Sequence, residues 1–258
     1  MAVIKKFRIK SFKEKETLLE LEKISMSYDN RRILNDISFK VNRSEVLGLL
    51  GPNGVGKSTI FKIIMNIENQ KSGKILLNGV DCTNLPIHER SRNFNLSYCP
   101  QYGGYFYDLT VMENLTAVAE IHVKEKNLRI SKIDKIIGQF GFDSILNVKA
   151  KHVSGGERRK LAIGMAIIND PQILLLDEPY AALDILSIKM IQEIIINLQS
   201  MERMSIIVCD HNARDLLTCV DRAIVLSNGK IIASGSPQEI INDTHARSVY
   251  FGNEFKIN

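Results

Sequence analysis

Residues 51–58 have the types and the spacing that hold a phosphate chain. The segment GPNGVGKS fits the pattern G-x-x-x-x-G-K-[ST] at each fixed position, between an apolar run at 45–50 and a helical pattern that begins at Ser58. Its glycines let backbone N–H groups surround phosphates, and the helix N-terminus adds a positive dipole. Lys57 is predicted to reach the β- and γ-phosphates, and the Ser58 hydroxyl to bind Mg²⁺. The predicted nucleotide ligands are Gly51, Pro52, Asn53, Gly54, Val55, Gly56, Lys57, Ser58 and Thr59.

Two adjacent carboxylates end a second apolar run. Ile173–Asp177 is predicted to form a buried strand that brings Asp177 to the carboxyl edge of a sheet, beside the phosphate-binding loop. There Asp177 can hold Mg²⁺ directly or through water. Glu178 points to the other side of the strand end, where it can orient or deprotonate an attacking water. Adjacent acids alone also fit a solvated strand end, but behind a complete phosphate-binding loop they indicate catalysis.

Two later segments could also contact phosphate. Ser154-Gly155-Gly156 precedes a helical pattern at 158–168, so we expect a second helix N-terminus that binds an anion. A serine N-cap followed by flexible glycines is the structural alternative. His211 follows Asp210 at the end of an apolar strand and could hydrogen-bond a γ-phosphate. A histidine at a strand end is usually structural, but its position after the other motifs favours the functional role.

The elements that must position these residues alternate between strands and helices. Runs typical of buried strands occupy 173–177, 205–210 and 222–227, and a long helix is predicted over 186–202. Short strands are expected over 18–41 with a break at 28–30, and helices over 110–168. Asn78-Gly79 and Asn228-Gly229 each predict a tight hairpin turn. This order favours a parallel sheet wrapped by helices.

Composition excludes several classes of protein. With 258 residues, 45% apolar and 24% charged, the chain is unlike a disordered protein, a collagen-like repeat or a small disulfide scaffold. The net charge is +5, and residues 1–16 hold six lysine or arginine residues against two glutamates. We interpret this segment as a solvated tail or as a weak contact with an anionic membrane surface. The remainder is close to neutral, so no nucleic-acid partner is expected.

Cysteine usage predicts a reducing, cytosolic compartment, and the hydropathy of the chain predicts no membrane-spanning segment. The four cysteines show no CxxC pair and no neighbouring histidine at zinc spacing, which predicts reduced, apolar residues rather than a metal site: Cys82, Cys99, Cys209 and Cys219. No run of 18 apolar residues occurs, so if the protein works on a membrane, another chain is expected to supply the membrane-spanning part.

The order of these motifs resembles one known family. GPNGVGKST, then Gln101, VSGGE, ILLLDEP, AALD and Asp210-His211 are similar to the nucleotide-binding subunit of an ABC transporter. The resemblance extends from about residue 17 to the C-terminus. It implies an α/β, RecA-like P-loop NTPase core with an antiparallel β subdomain and a helical subdomain at about 102–168. Residues 1–16 are then a basic N-terminal extension to the nucleotide-binding domain at 17–258.

Roles for individual residues follow from that resemblance. It implies that Tyr28 stacks on adenine and that Gln101 senses both the metal and the γ-phosphate. Glu178 is implied as the catalytic carboxylate and His211 as the switch histidine. Gln101 therefore joins Glu178 and His211 in the expected catalytic set, and joins Ser58 and Asp177 in the expected metal set.

The same resemblance implies a homodimer with ATP and Mg²⁺ at shared sites. Ser154, Gly155 and Gly156 would contact the ATP held by a second subunit, and Asp184 would lie in the loop that crosses the dimer. The segment departs from the commonest family form at Val153 and Glu157, and neither change removes the Ser-Gly-Gly that touches phosphate.

Longer stretches are similar to the ATPases of lipopolysaccharide export. They include SGGERRKLAIGMAI and VYFGNEF. This resemblance implies two integral membrane subunits, a site on the cytoplasmic face of the inner membrane, and a transported lipopolysaccharide that this chain does not contact. Phe106 falls where the family places an aromatic in the groove that receives its membrane partner. Tyr105, Tyr107 and Asp108 depart from the family's pattern there, and filling of the helical core is the alternative role for these aromatics.

Three other functions compete with export. Branched-chain amino-acid importer ATPases share the C-terminal Tyr-Phe-Gly type of ending, but they tend to lack the Asp-His-Asn at 210–212. Soluble ABC ATPases that act on ribosomes or DNA usually have two cassettes or long coiled coils, and this chain has neither. A regulator that binds nucleotide without hydrolysis is disfavoured by intact Glu178 and His211.

Overall fold

The computed structural model describes residues 16–29 and 31–252, which form two β-sheets and the helices around them. The strands are β1 (Thr17–Tyr28), β2 (Arg31–Asn42), β3 (Val46–Leu50), β4 (Ser72–Leu77), β5 (Val80–Asp81), β6 (Leu96–Cys99), β7 (Ile173–Asp177), β8 (Ser205–Cys209), β9 (Arg222–Ser227) and β10 (Lys230–Gly235). The helices are α1 (Lys57–Ile64), α2 (Ile87–Phe94), α3 (Val111–His122), α4 (Lys126–Phe140), α5 (Gly155–Ile167), α6 (Ile185–Ser200), α7 (Ala213–Leu217), α8 (Pro237–Asn242) and α9 (Thr244–Ala246). A 3₁₀ turn at Ala150–His152 and a π-helical turn at Arg247–Phe251 complete the described chain.

The larger sheet has six strands in the order β10-β9-β3-β8-β7-β6. All neighbours are parallel except β10, which pairs antiparallel with β9. Alternate residues of β7 face opposite sides: Leu174 and Leu176 pack with the cluster that contains α3–α6, whereas Ile173 and Leu175 pack with the cluster that contains α1. Burial on both faces explains the uninterrupted apolar runs of these strands.

The smaller sheet is antiparallel, with strands in the order β2-β1-β4-β5. Its apolar face shares one buried cluster with α1, to which Phe61 and Ile64 contribute, and with one face of the six-stranded sheet. The strand break at 28–30 and both Asn-Gly hairpins are confirmed, since β4–β5 and β9–β10 are each joined by the predicted pair. The α/β architecture with an antiparallel β part is therefore confirmed as well.

Helices α3, α4 and α5 pack on one another and on the sheet through the other buried cluster. Two ion pairs tie α4 to the segments around β7 and α6: Lys132 with Asp170, and Lys135 with Glu202 at 2.7 Å. The helices predicted over 110–168 are present, and the long helix predicted over 186–202 is α6. Together they place the start of α5 near the start of α6.

Some elements carry no clear sequence signal. The sequence predicts neither β6, whose middle residues Ser97 and Tyr98 interrupt its apolar ends, nor the short helices after β10. Helix α2 was also missed because only Arg90 of its residues is fully buried. The Arg90 guanidinium donates to the carbonyls of Ile63 and Ile64 at 2.8 and 2.7 Å, so a buried charge closes the end of α1.

The basic segment 1–16 lies outside the described residues except for Glu16. The Glu16 carbonyl accepts a hydrogen bond from the Arg43 amide at 2.8 Å, and its carboxylate pairs with the Arg43 guanidinium at 2.7 Å. Among the described residues, no helix combines the length and the apolar character that crossing a bilayer requires. All four cysteines are buried and free, as the sequence predicts.

Candidate functional site

The phosphate-binding loop turns directly from β3 into α1. Gly56 caps α1 in the left-handed conformation, with φ of 110°, and a Cβ there would lie 2.6 Å from Cδ2 of Leu34. No side chain of the described residues caps α1, so the amides of its first turn keep their capacity to bind an anion. The fold thus supplies the open helix end that the motif predicts.

Lys57 lies inside this loop. Its ammonium donates to the carbonyl of Gly51 at 2.7 Å and to that of Pro52 at 3.2 Å, and the residue is 4% exposed. These neutral partners orient a positive charge without neutralising it. The charge is therefore available to a phosphate at the loop.

Asp177 lies at the end of β7 and meets donors from three other elements. Its Oδ1 accepts from the Ser58 hydroxyl at 2.9 Å and from the Cys209 thiol at 2.7 Å, while its Oδ2 accepts from the Tyr98 hydroxyl at 3.0 Å. Burial is the main cause that raises the pKa of the Tyr98 hydroxyl and of the Cys209 thiol, so both groups stay protonated. The carboxylate is held in one orientation from both sides.

The Ser58–Asp177 pair fits Mg²⁺. Both side chains offer hard oxygen ligands. The Ser58 hydroxyl donates a hydrogen bond to Asp177, and its oxygen lone pairs stay available for a metal. No group of three or more histidine, cysteine, aspartate or glutamate residues that could hold a metal occurs within the described part of the chain. Mg²⁺ takes few protein ligands and completes its shell with phosphates and water, so the two oxygen ligands of Ser58 and Asp177 fit it.

Glu178 belongs to a separate cluster. Its Oε2 accepts from the Gln101 amide nitrogen at 2.7 Å and lies 3.4 Å from Nδ1 of His211. The Glu178 backbone is left-handed, with φ of 44°, which turns its side chain away from that of Asp177. The two adjacent acids are thus directed to different partners. In this geometry Gln101 contacts Glu178 and not the Ser58–Asp177 pair.

Asp210 fixes the two loops that carry this cluster. Its carboxylate accepts from the Tyr180 amide at 3.2 Å and from the Asn212 amide at 2.8 Å. Burial raises the pKa of Asp210, and the two amides offset part of that increase. Tyr180 lies two residues after Glu178 and Asn212 follows His211, so the buried Asp210 carboxylate links the loop of the proposed base to the loop of the histidine.

Comparison with known proteins decides the family. The profile of the ABC transporter family matches residues 34–181. The lipopolysaccharide export system ATP-binding protein LptB of Haemophilus influenzae is 39% identical over 245 residues, which cover 93% of this chain and all of that protein. The chain belongs to the ABC transporter family. As an ABC ATPase it is an ATP-binding, ATP-hydrolysing protein, which confirms the activity expected from the motifs.

Other relatives agree. LptB of Escherichia coli K12 is 35% identical over 240 residues, covering 93% of this chain and 99% of that protein. Among solved structures, the ADP conformation of an ATP-binding cassette of an ABC transporter superposes with a TM-score of 0.81 at 24% identity, over 92% of this chain and 99% of the other. At that identity the superposition establishes the fold alone.

The Ser-Gly-Gly segment of this ABC ATPase begins α5 and packs on α6. Ser154 caps α5 by accepting from the Glu157 amide, and the Glu157 carboxylate accepts from the Ser154 amide, so the serine N-cap of the structural alternative is present in the single chain. A Cβ at Gly156 would lie 2.4 Å from Oγ of Ser187, whose hydroxyl donates to the carboxylate of Asp184. The predicted Ser154–Gly156 and Asp184 therefore belong to one packed unit.

Besides Tyr98 and Cys209, two further residues of the site have no sequence signal. The Arg159 guanidinium, on α5, donates to the carbonyls of Pro100 at 2.8 Å and Gln101 at 2.5 Å. The Tyr250 hydroxyl donates to the carbonyl of His211 at 2.7 Å. Both act on backbone carbonyls across long sequence separations, and nothing in the local pattern around either residue signals such a contact.

Residues 102–110, the aromatic loop, carry the predicted groove residue. Phe106 and Tyr107 are 53% and 55% exposed, whereas Tyr105 packs partly against the helical core, so core filling describes only Tyr105. Asn114, fully buried on α3, accepts from the Phe106 amide at 2.7 Å and donates to carbonyls of the same loop at 2.9–3.3 Å. The backbone beneath Phe106 is therefore fixed although its ring is exposed.

Proposed function

We propose that two copies of this chain hydrolyse Mg²⁺-ATP to power extraction of lipopolysaccharide from the inner membrane. One observation supports hydrolysis most directly: Asp177 pairs with Ser58, while Glu178 pairs with Gln101 and His211. Adjacent carboxylates with separate partners can hold a metal and activate water at the same time. Sequence identity of 35–39% to LptB proteins over nearly their full length supports lipopolysaccharide as the transported substrate.

Binding of the triphosphate rests on the loop and on Lys57. The amides at the start of α1 and the Lys57 ammonium supply positive charge without a counter-ion that must first be removed. Ser58 and Asp177 would hold Mg²⁺, which neutralises charge on the β- and γ-phosphates when bound. Phosphoryl transfer depends mainly on such positioning and charge stabilisation.

Activation of water rests on Glu178. Its carboxylate can accept a proton from a water that attacks the γ-phosphorus, as the P–O bond to the β-phosphate breaks. The Gln101 amide orients the carboxylate, and His211, 46% exposed, can donate to a γ-phosphate oxygen. The left-handed backbone of Glu178 keeps this base apart from the metal-binding carboxylate.

Most of the remaining predicted ligands are exposed in the single chain, although Gly156 is buried against α6. Tyr28 is 42% exposed, as a ring that stacks on adenine must be. Ser154, Gly155 and Asp184 also reach solvent at the α5–α6 contact, where they can meet ATP held by a second subunit. One chain that carries both the phosphate-binding loop and this segment can form two equivalent sites in a homodimer.

The aromatic loop would join the ATPase to two integral membrane subunits at the cytoplasmic face of the inner membrane. A fixed backbone under an exposed Phe106 gives a partner a surface that needs no ordering on binding. In this arrangement the membrane subunits contact lipopolysaccharide and this chain does not.

Purification with a tag from detergent-extracted membranes tests the proposal. We expect two membrane proteins to accompany the chain, and ATP-dependent release of lipopolysaccharide from proteoliposomes that contain the complex. Lys57→Ala should lose nucleotide binding and release while keeping both partners. Recovery with an amino-acid importer or with ribosomes would contradict the export function, and release that persists in Lys57→Ala would contradict the ATPase role.

A further inference from the structure

The Asp177 carboxylate has two donors that the phosphate-binding motifs do not include. Tyr98 is the second-last residue of β6 and Cys209 is the last residue of β8, and these strands lie on either side of β7. The Tyr98 hydroxyl donates to Oδ2 at 3.0 Å and the Cys209 thiol donates to Oδ1 at 2.7 Å.

We propose that Tyr98 and Cys209 are positioning residues that hold Asp177 in the orientation that binds Mg²⁺. The inference rests on the proposed Mg²⁺-ATP chemistry and assigns two residues to it. Removing partners that hydrogen-bond a metal ligand typically lowers metal affinity by about 10-fold to 100-fold, because the ligand must then be ordered by the metal itself.

The packing around the two donors keeps them in place. The Tyr98 ring meets the ring of Phe61 edge to face with centroids 6.2 Å apart, which fixes the direction of its hydroxyl. Cys209 is fully buried, and its carbonyl accepts from the Glu178 amide at 2.8 Å. The Cys209 thiol that contacts Asp177 therefore belongs to the same residue whose carbonyl holds the backbone of Glu178.

The third donor to Asp177, Ser58, differs from Tyr98 and Cys209 because it is itself a predicted Mg²⁺ ligand. The Ser58 hydroxyl donates its one hydrogen bond to Asp177, which leaves its oxygen lone pairs free to bind the metal. Ser58 must adjust as Mg²⁺ and phosphate bind, since it is itself a ligand. Tyr98 and Cys209 are not ligands, so they can hold the carboxylate steady throughout.

The test separates metal binding from nucleotide binding. In the full chain carrying Glu178→Gln, ATP affinity is measured by calorimetry at increasing Mg²⁺ and in EDTA. With Tyr98→Phe or Cys209→Ala we expect the Mg²⁺ concentration for half-maximal tightening to rise about 10-fold, with ATP affinity in EDTA unchanged. Cys209→Ser keeps a donor and should stay within about 2-fold of the parent.

Controls distinguish positioning from packing. Cys82→Ala removes another buried thiol, which donates to the carbonyl of Ile75 at 3.3 Å in the smaller sheet, and should leave the Mg²⁺ dependence unchanged. An unchanged Mg²⁺ requirement in folded Tyr98→Phe, or equal losses in Cys209→Ser and Cys209→Ala, would overturn the inference. If the parent itself shows no tightening of ATP by Mg²⁺, the proposed Mg²⁺-ATP chemistry fails instead.

Discussion

The catalytic edge, formed by the phosphate-binding loop with Asp177, Glu178 and His211, contrasts with the aromatic loop. At the catalytic edge, side chains at the ends of three parallel strands, β6, β7 and β8, and on α1 bind one another in two polar clusters. In the aromatic loop, the buried Asn114 binds the backbone while Phe106 remains exposed. The first region orders its side chains internally, whereas the second orders only its backbone.

This difference indicates two separable tasks. Chemistry requires functional groups that are already oriented before the substrate arrives, because reorientation adds to the barrier. Partner binding requires an apolar surface that is rigid but uncovered, because its burial supplies the binding energy. Substitutions in the two regions should therefore give opposite phenotypes.

The largest effect is expected from Glu178→Gln. The amide can still accept from Gln101 but is a poor base, so hydrolysis should fall by roughly 10²-fold or more while ATP remains bound. Phosphate release and retention of labelled ATP measure the two effects. Glu202→Gln, which neutralises a carboxylate paired with Lys135 on the surface, should hydrolyse normally. Wild-type turnover in Glu178→Gln would remove the assignment of the base.

Phe106→Ala should give the opposite result. Loss of a single aromatic anchor should weaken binding of the membrane subunits by about 2 kcal/mol, or roughly 30-fold, with the melting temperature and basal ATPase retained. Co-purification and ATPase assays on one preparation check this. Ile67→Ala, which trims a residue 50% exposed after α1, should keep both partners. A variant that unfolds, or that recovers its partners at full yield, would show that Phe106 is not the coupling contact.

A smaller effect, on stability, is expected from substitutions at the start of α5, where this helix packs on α6. Gly156→Ala places a Cβ 2.4 Å from Oγ of Ser187 and should destabilise the chain by about 1–3 kcal/mol through overpacking. In Gly155→Ala the nearest side-chain atom, Cδ2 of Leu183, lies 3.6 Å away, so the fold should be unaffected. Thermal unfolding of both variants measures the difference. Equal melting temperatures would mean that the α5–α6 contact relaxes freely.

Much of this protein could be predicted because its signals are local. A G-x-x-x-x-G-K-[ST] segment between an apolar run and a helix fixes its own backbone, and Asn-Gly between β-prone runs fixes a hairpin. The fold and the family followed from the order of such segments. The roles of Tyr28, Ser154 and Asp184 stay predictions, since they concern ATP and a second subunit.

The partners of the two adjacent acids are visible only in the tertiary structure. The sequence predicts that Asp177 and Glu178 face different sides of the strand end, and the structure pairs Asp177 with Ser58 and Glu178 with Gln101. The contact of Gln101 with Glu178, rather than with Ser58 and Asp177, likewise depends on how the segment after β6 lies against the end of β7.

The sequence by itself determined which strands are buried and predicts which segments bind phosphate, because those properties depend on neighbours along the chain. Only the tertiary structure decided that Tyr98 and Arg159 belong to the site. Tyr98 lies 79 residues from Asp177, and their contact exists because β6 is placed beside β7 at the edge of the sheet. Strand order is a property of the whole packed chain, so a hydrogen bond across it has no local signature.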